Sequence, residues 1–246
     1  MTLQKAHFSI IIPTLQEGKY LRRTLTQFPT QVREEYSVEV IVSDGGSTDE
    51  SIAIASSTAD SLIENTAKIK QTISMGRNAG ANHSTGEILI FLNGDTVVED
   101  AQSFLGKVGD VMNDHKTVAA TCRVAIYPEE EGFSDKLFHG FFNYYFWFLN
   151  VIGLGMGRGE CQIVRRKDFF AVRGYNESLA AGEDFDLFVR LRRHGKIAFI
   201  NSLVVWESPR RFRRFGYMTI LWQWFKNAIS VLVTGKSISD DWEPIR

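Results

Sequence analysis

Three acidic side chains each follow an apolar run of this sequence. Glu17 comes after "FSIIIPT", Asp44 ends "VEVIVSD" and Asp95 follows "ILIFLNG". Carboxylates at such places can hydrogen-bond a ribose or a base. They can also bind Mg²⁺, which takes one or two protein carboxylates and fills its shell with phosphate and water oxygens. Taken singly, each could instead form a turn or cap a helix, since Asp is common in both roles.

A second acidic group opens the stretch "GEDFDLFVRLRRHG". Glu183, Asp184 and Asp186 fall in the first turn of a predicted helix, where the helix dipole favours negative charge. Glu183 and Asp184 are neighbours and must point in different directions. One of them can therefore make structural contacts while the other faces a cleft as a general base. For Asp186 a helix-start role is sufficient.

The apolar runs predict the strands that must position these groups. Residues 8–12, 38–42 and 88–92 are nearly continuous and rich in β-branched side chains, which indicates strands covered on both faces. Strands that alternate with helical stretches predict an α/β fold with a mostly parallel central sheet flanked by helices. Ligands of such sheets bind beyond the carboxyl ends of the strands, so the three carboxylates are expected along one edge.

The helical stretches have recognisable beginnings and apolar faces. "EGKYLRRTLTQF" is predicted to be one helix, and "STDESIAIASSTA" another, with Ser47 or Thr48 as its N-cap. Beyond residue 100 the pattern predicts a helix over 101–113. Strands are predicted over 118–126, 161–166 and 196–200, and we expect both halves of the chain to share one sheet.

Composition excludes several classes of protein. The chain has 246 residues, enough for one large domain or a domain with an appended element. Its net charge of −1 creates no overall positive potential that would attract nucleic acid. Cys122 and Cys161 lack metal-ligand spacing and imply no disulfide framework. Neither a phosphate-binding loop of the G-x-x-x-x-G-K-[ST] type nor a Gly-rich fingerprint after the first strand occurs, which argues against a dinucleotide oxidoreductase.

The two ends of the sequence bear on where the protein is located. The first residues lack the apolar core of a signal peptide, and no uninterrupted apolar run reaches the length of a membrane span, so we predict a cytoplasmic protein. Residues 217–234 carry one polar stripe on an otherwise apolar helix, preceded by the basic "RRFRRF". This predicts a helix that lies on the inner face of a membrane, with the aromatic residues 141–149 adding to the same surface. Packing on the rest of the chain and a homodimer contact are the alternatives.

Four segments together resemble the family 2 glycosyltransferases with a GT-A fold. They are "FSIIIPTLQEGKYLRRTL", "VEVIVSDGGSTDES", "GRNAGANHSTGEILIFLNGDT" and "GYNESLAAGEDFDLFVRLRRHGK", and the resemblance spans residues 7–208. It implies a GT-A domain over 1–208, with a nucleotide-binding half at 1–100 and an acceptor and catalytic half at 101–208. Residues 209–246 are then a basic, amphipathic helical extension.

The resemblance also implies an inverting transfer from a nucleotide-diphosphate sugar. It assigns Pro13, Glu17 and Asp44 to nucleotide binding, and Arg77 to the region that approaches the nucleotide or its diphosphate. Asp95 matches the final Asp of the D-x-D motif, which implies Mn²⁺ or Mg²⁺ as the cofactor.

The same resemblance assigns the catalytic and acceptor side. Asp184 is implied as the base, with Glu183 beside it, and Arg210 and Arg211 lie in an element found near the diphosphate or acceptor. The sequence departs from the pattern at Asn93, which replaces the first Asp of the metal motif and puts metal affinity in question.

Two further departures and the acceptor stay open. Gln16 stands where Asn is usual, and "WES" at 206–208 replaces a His that some members use, leaving Glu207 as a substitute candidate. A saccharide or a lipid-linked acceptor of the polyprenyl-phosphate type would suit the C-terminal helix. The alternative from another class is a non-catalytic nucleotide-sugar-binding or scaffold module of the same fold. The sugar and the base, uracil or guanine, are not determined.

Overall fold

The computed structural model describes residues 7–66, 70–179 and 181–234. Within these ranges the chain forms a single eight-stranded sheet with helices on both sides. The strands are β1 Phe8–Thr14, β2 Val38–Asp44, β3 Ser61–Glu64, β4 Ile88–Leu92, β5 Val97–Val98, β6 Thr117–Ile126, β7 Cys161–Arg165 and β8 Lys196–Glu207. The helices are α1 Gly18–Thr26, α2 Thr30–Tyr36, α3 Ser51–Thr58, α4 Ile73–His83, α5 Ala101–Met112, α6 Phe133–Val151, α7 Arg166–Ala171, α8 Glu183–Arg192, α9 Arg210–Phe215 and α10 Tyr217–Thr234.

The strand order confirms the predicted fold class. It runs β3-β2-β1-β4-β7-β6-β8-β5, so strands from both halves of the chain share one sheet. The pairs β1–β2, β1–β4, β2–β3 and β6–β8 are parallel, and β7 and β5 run antiparallel to their neighbours. In the β1–β2 register Thr14 lies opposite Asp44, which puts the carboxyl ends of these two strands side by side.

The strand sequences are apolar at nearly every position because both faces of the sheet are covered. Successive strand side chains point to opposite faces. Ile10 and Ile12 accordingly pack in one apolar cluster, while Ile11 packs in the cluster on the other side. Leu89 and Phe91 likewise lie in the second cluster. The core therefore fixes the strands rigidly and leaves the loops at their carboxyl ends to form the site.

The predicted start of the second helix is wrong. We expected Ser47 or Thr48 to be its N-cap, whereas α3 begins at Ser51 with Glu50 as the capping residue. The Ser47 hydroxyl instead accepts the backbone N–H of Gln16, and Thr48 accepts the Gln16 side-chain amide. These contacts hold residues 45–50 as a loop against the β1–α1 loop.

The strands of the second half differ from the prediction in length. The predicted strand 196–200 continues to Glu207, and its pairing with β6 shifts in register between Cys122 and Arg123. The exposed Asn201 and Ser202 interrupt the apolar pattern at this irregularity, which is why the pattern indicated an end there. The strand predicted over 161–166 ends at Arg165, because α7 begins at the next residue.

The C-terminal segment forms the predicted helix and packs on α6. Phe138 of α6 lies against Phe212, with ring centroids 5.3 Å apart, and Phe142 meets Trp224 edge-to-face at 5.6 Å. Among the helices in the described ranges, none is long and apolar enough to cross a membrane. Residues 235–246 of the predicted extension lie outside the described residues.

Candidate active site

Two of the three strand-end carboxylates meet around one guanidinium. Arg210, at the start of α9, donates to Glu17 Oε1 at 2.5 Å and lies 3.3 Å from Asp95 Oδ2. Gly94 makes this approach possible, because a Cβ at that position would lie 2.9 Å from Glu17 Cγ. Residues 193 positions apart along the chain thus form one ionic cluster at the carboxyl edge of the sheet.

Burial disfavours the ionised form of both carboxyl groups. It raises the pKa of Glu17 to about 7, against the opposing effect of Arg210. Burial likewise raises the pKa of Asp95, with the Arg210 charge again opposing it. Glu17 Oε2 is also buried without a hydrogen-bond partner among the described residues. An orphaned carboxylate oxygen of this kind is an unused ligand position.

Asp44 has a different environment from Glu17 and Asp95. It is fully buried, and its Oδ1 accepts the backbone N–H groups of Gly46 and Ser47 at 2.9 and 2.7 Å. Its Oδ2 accepts the Ser47 hydroxyl at 2.6 Å. The carboxylate therefore shapes the β2–α3 loop. Through Ser47, that loop accepts the backbone N–H of Gln16 and so fixes the loop that carries Glu17. Direct contact between Asp44 and a nucleoside stays a prediction.

Arg77 is a buried hub between the two halves of the chain. Its guanidinium is 1% exposed and donates to Glu183 Oε1 at 3.0 Å, to Asn93 Oδ1 at 3.1 Å and to the Gly159 carbonyl at 2.7 Å. Asn93 thus uses its side-chain oxygen as an acceptor for Arg77. A neutral amide suffices there because Glu183 already balances the charge. Contact of Arg77 with a donor diphosphate stays a prediction.

The two neighbouring acids of α8 have unequal surroundings. Glu183 forms an ion pair with Arg77, whereas Asp184 Oδ1 accepts, among the described residues, the N–H of the following Phe185, at 2.8 Å. Burial, followed by the negative charge of Glu183, raises the pKa of Asp184 from 3.8 to about 7. A carboxylate with this pKa is half-ionised near neutral pH, which suits a group that must accept a proton and release it.

Sequence reasoning named Glu207 as a candidate but missed Arg158 and Glu160, with which it forms a second ionic cluster. Arg158 is buried and donates to both oxygens of Glu160, at 3.0 and 3.2 Å, and to Glu207 Oε1 at 3.4 Å. Burial opposes the ionisation of Glu160, but Arg158 outweighs it and lowers its pKa. Burial and the Glu160 charge raise the pKa of Glu207 well above its usual range.

One more buried side chain belongs to this cluster. His139 of α6 has its Nδ1 3.5 Å from Arg158, and burial together with that charge lowers its pKa to about 3. Arg158 and Glu160 follow the run "GLGMG", which has the character of a turn and carries no periodicity. Only the Glu at the end of "GRGE" could have signalled a site, and its partners arrive from α6 and β8.

Glu160 connects the carboxylates into one crevice. Its charge raises the pKa of Asp95 and also that of Asp184. Asp184 Oδ2 and Arg77 Nη2 both lie 3.5 Å from the position that a Cβ on Gly159 would take. Glu17, Asp95, Glu160 and Asp184 therefore form one electrostatically coupled acidic cluster, which we call the acidic crevice. The roles of Asp95 as a cation ligand and of Asp184 as a proton acceptor stay predictions.

The remaining predicted residues lie around this crevice. Pro13 pairs with Ser43 at the ends of β1 and β2, beneath the loops just described. Arg211 acts electrostatically on Glu207 and opposes part of the rise in the pKa of that carboxyl, which stays well above its usual range. Within the described ranges, no three His, Cys, Asp or Glu side chains are grouped as a ready-made metal cage. Asp95 and the unpartnered Glu17 oxygen nevertheless fit a hard divalent cation that takes most of its ligands from phosphates and water.

Known proteins share this sequence pattern and this fold. The family model described as "Glycosyl transferase family 2" matches residues 9–171. A PGL/p-HBAD biosynthesis glycosyltransferase from Mycobacterium bovis is 33% identical over 112 residues, which are 44% of this chain and 43% of that protein. The matched part is thus less than half the length of this relative.

Two solved structures illustrate the shared fold. A mannosyltransferase from Pyrobaculum calidifontis in complex with GDP-Man and Mn²⁺ superposes with a TM-score of 0.67. It is 18% identical, and the alignment covers 92% of this chain and 65% of that one. TarS of S. aureus in complex with UDP-GlcNAc gives a TM-score of 0.58 at 17% identity, with 80% and 58% of the chains covered.

Proposed function

Because the chain belongs to glycosyl transferase family 2, we propose that it transfers a sugar from a nucleotide-diphosphate sugar to an acceptor. The observation that carries this proposal is the acidic crevice that Glu17, Asp95, Glu160 and Asp184 form. Relatives of the same fold are recorded with GDP-Man and with UDP-GlcNAc, which supports a donor of this chemical class.

Asp184 is the proposed base, and inversion is the proposed stereochemical outcome. A single displacement needs one proton acceptor and no protein nucleophile. Asp184 is the acid of the crevice that is half-ionised near neutral pH and makes no ion pair among the described residues. It would take the proton of an acceptor hydroxyl as the sugar leaves the diphosphate. Glu183, fixed by Arg77, keeps α8 and hence Asp184 in place.

The departing diphosphate gains negative charge that this chain can balance. Asp95, with Glu17 Oε2, would hold a divalent cation such as Mn²⁺ or Mg²⁺, which supplies electrostatic stabilisation of that charge when bound. Arg210 already forms ion pairs with both carboxylates and balances one of their two negative charges. Arg210, Arg211 and Arg77 are proposed to face the diphosphate or the acceptor once the donor enters.

The acceptor is proposed to be a saccharide or a polyprenyl-phosphate-type lipid. The wide apolar faces of the C-terminal half support a lipid-linked acceptor met at the inner face of a membrane by a cytoplasmic protein. With a phosphate as acceptor the nucleophile is already ionised, and Asp184 matters less. A homodimer through the same faces is the competing proposal.

A thermal-shift screen tests the proposal. Nucleoside diphosphates and nucleotide sugars are added with and without Mn²⁺. A ligand that binds the folded state raises the free energy of unfolding by RT ln(1 + [L]/Kd), and the melting temperature rises with it. We expect UDP or GDP derivatives to raise it, more so with Mn²⁺. Absence of any shift would remove the donor-binding proposal. A shift without Mn²⁺-stimulated donor hydrolysis would favour the non-catalytic module, for which Asn93 bound to Arg77 is the supporting observation.

A further inference from the structure

The outer face of α6 is an exposed aromatic stripe. Seven of its side chains are between 41% and 83% exposed and recur at spacings of three to four residues, on one face of the helix. At roughly 100 Å² each they present about 700 Å² of apolar surface, more than the about 300–600 Å² of the largest patch on a typical monomer. The members of this stripe are Phe133, Leu137, Phe141, Tyr144, Tyr145, Phe148 and Val151.

Helix α10 adds a second exposed ridge beside the stripe. Met218, Trp222 and Phe225 are 55% to 77% exposed, although the inner face of the same helix packs on α6. Asn227, a polar residue of the same helix, is buried. The structure thus turns apolar side chains of α10 outward, where none of the described residues buries them. We call the stripe and this ridge together the α6–α10 face.

Basic side chains border the α6–α10 face at α10 and at the C-terminal end of α6, whereas Glu129, Glu130 and Glu131 precede its N-terminal end. The sequence from Leu137 to Val151 contains no Asp, Glu, Lys or Arg, and Lys226 lies at the Trp222 ring of α10. At the C-terminal end of α6, Arg192 lies 3.2 Å from the Cβ position of Gly153. Such a basic border with an uncharged aromatic centre matches an anionic headgroup layer above an apolar interior.

A groove beside the stripe carries polar groups for a headgroup. It has a volume of about 310 Å³ and is lined by Tyr144 and Trp147 of α6 and by Arg123 and Asn201 of the sheet. The side chains of Arg123 and Asn201 are exposed and make no hydrogen bond or ion pair with other described residues. Gly140 also lines the groove, and a Cβ there would meet no atom within 4 Å, so the groove is open.

We propose that the α6–α10 face docks on an anionic lipid bilayer, with Arg123 in the groove bound to a lipid phosphate. A second copy of this chain is the poorer occupant. A two-fold contact pairs the face with itself, and residues 137–151 and 217–234 hold no Asp or Glu that could pair with Arg123 of a second copy. An anionic bilayer matches that charge and takes up the aromatic rings, because Trp and Tyr favour the headgroup region.

The docking face and the proposed active site share one helix. His139, on the inner side of α6, contacts Arg158 of the acidic crevice, while Phe141 and Tyr144 point outward. A helix is about 10 Å across, so a bilayer on this face lies close to the crevice. This part of the inference rests on the proposed function: an acceptor carried by a lipid would reach Asp184 without leaving the membrane surface.

Vesicle flotation of the full chain tests the proposal. Wild type is expected to bind vesicles of phosphatidylcholine with about 30% phosphatidylglycerol more tightly than phosphatidylcholine alone, and less tightly at high salt. The double variant Phe141→Ser with Phe148→Ser should bind at least about tenfold more weakly. Arg123→Gln should bind the anionic vesicles about fivefold more weakly and phosphatidylcholine unchanged.

The control is an exposed aromatic elsewhere. Phe170 of α7 is 39% exposed and lies outside the α6–α10 face, so Phe170→Ser should keep wild-type binding. The proposal would be overturned if wild type did not bind anionic vesicles, or if the double variant bound them as tightly as wild type. The proposal would also be overturned if light scattering showed that wild type is a dimer, that the double variant is a monomer, and that wild type does not bind vesicles. The nucleotide thermal shift, measured in parallel, should be unaltered by these variants, which separates this test from that of donor binding.

Discussion

Replacing Asp184 by Asn should change stability with a sign that depends on pH. The folded state raises the pKa of this carboxyl from 3.8 to about 7. The unfolded chain therefore releases the proton at lower pH than the folded one, and folding is penalised as the pH rises above 3.8. The penalty is complete above about pH 7. Asn keeps the size of the side chain and cannot ionise, so the variant escapes the penalty.

The expected size follows from the pKa and from the lost hydrogen bonding. A rise of about three pH units corresponds to about 4 kcal/mol, at about 1.4 kcal/mol per unit. The Asn amide introduces a donor into a buried site, which costs about 1–3 kcal/mol if it finds no partner. The Asp184→Asn variant should thus be more stable than wild type by about 1–3 kcal/mol at pH 8. At pH 4 the gain should vanish or reverse, because wild type then carries a neutral carboxyl.

Urea unfolding at pH 4, 6 and 8 measures this difference. Asp186→Asn is the matched control, since Asp186 lies in the same turn of α8 and pairs with Arg190 at 2.6 Å. It should show no stability gain at pH 8. Transfer to a hydroxyl acceptor should fall about 10²–10⁴-fold in Asp184→Asn, and little if the acceptor is a phosphate. A stability difference that is the same at all three pH values would refute the reasoning about the buried carboxyl.

Two further substitutions examine the cation end of the crevice. Arg210→Gln leaves Glu17 and Asp95 without their counter-charge, so the metal-free protein should lose about 2–4 kcal/mol of unfolding free energy. Mn²⁺ titrated without nucleotide in a calorimeter should then bind more tightly than to wild type. Arg214→Gln, whose guanidinium lies over Phe215, is the control, and equal Mn²⁺ affinity in both variants would contradict the assignment. Gly94→Ala puts a methyl group 2.9 Å from Glu17 Cγ and should cost about 1–3 kcal/mol in chemical unfolding, with a smaller nucleotide thermal shift. Gly106→Ala in α5, where the nearest atom is 3.8 Å away, should be neutral or stabilising, and a similar loss there would mean that the approach of Glu17 is not the cause.

The sequence was sufficient for the central strands β1, β2 and β4 and for the class of fold, but it did not predict β3 or β5. Runs such as Ile10–Ile12 and Ile88–Leu92 are apolar at every position, and a run of that kind is stable only when both faces of a sheet are covered. The structure confirms these strands and the sheet shared by both halves. It also explains the one wrong helix start, because the hydroxyl of Ser47 bonds the loop of another strand, a contact that local sequence cannot express.

The sequence also identified Glu17, Asp95 and Asp184, since each stands close to the end of a recognisable element, but it missed Glu160, which follows a turn-like run. Their partners came from tertiary structure alone. Arg210 reaches Glu17 and Asp95, and Arg77 reaches Glu183, across more than 100 residues. Which acid keeps its charge, and which is raised to half-ionisation, depends on burial and on the nearest guanidinium. Those quantities are set by packing, whereas the alternation of apolar and polar residues is set by the chain itself. The sequence therefore determined where the carboxylates stand, and the folded arrangement decided what each of them can do.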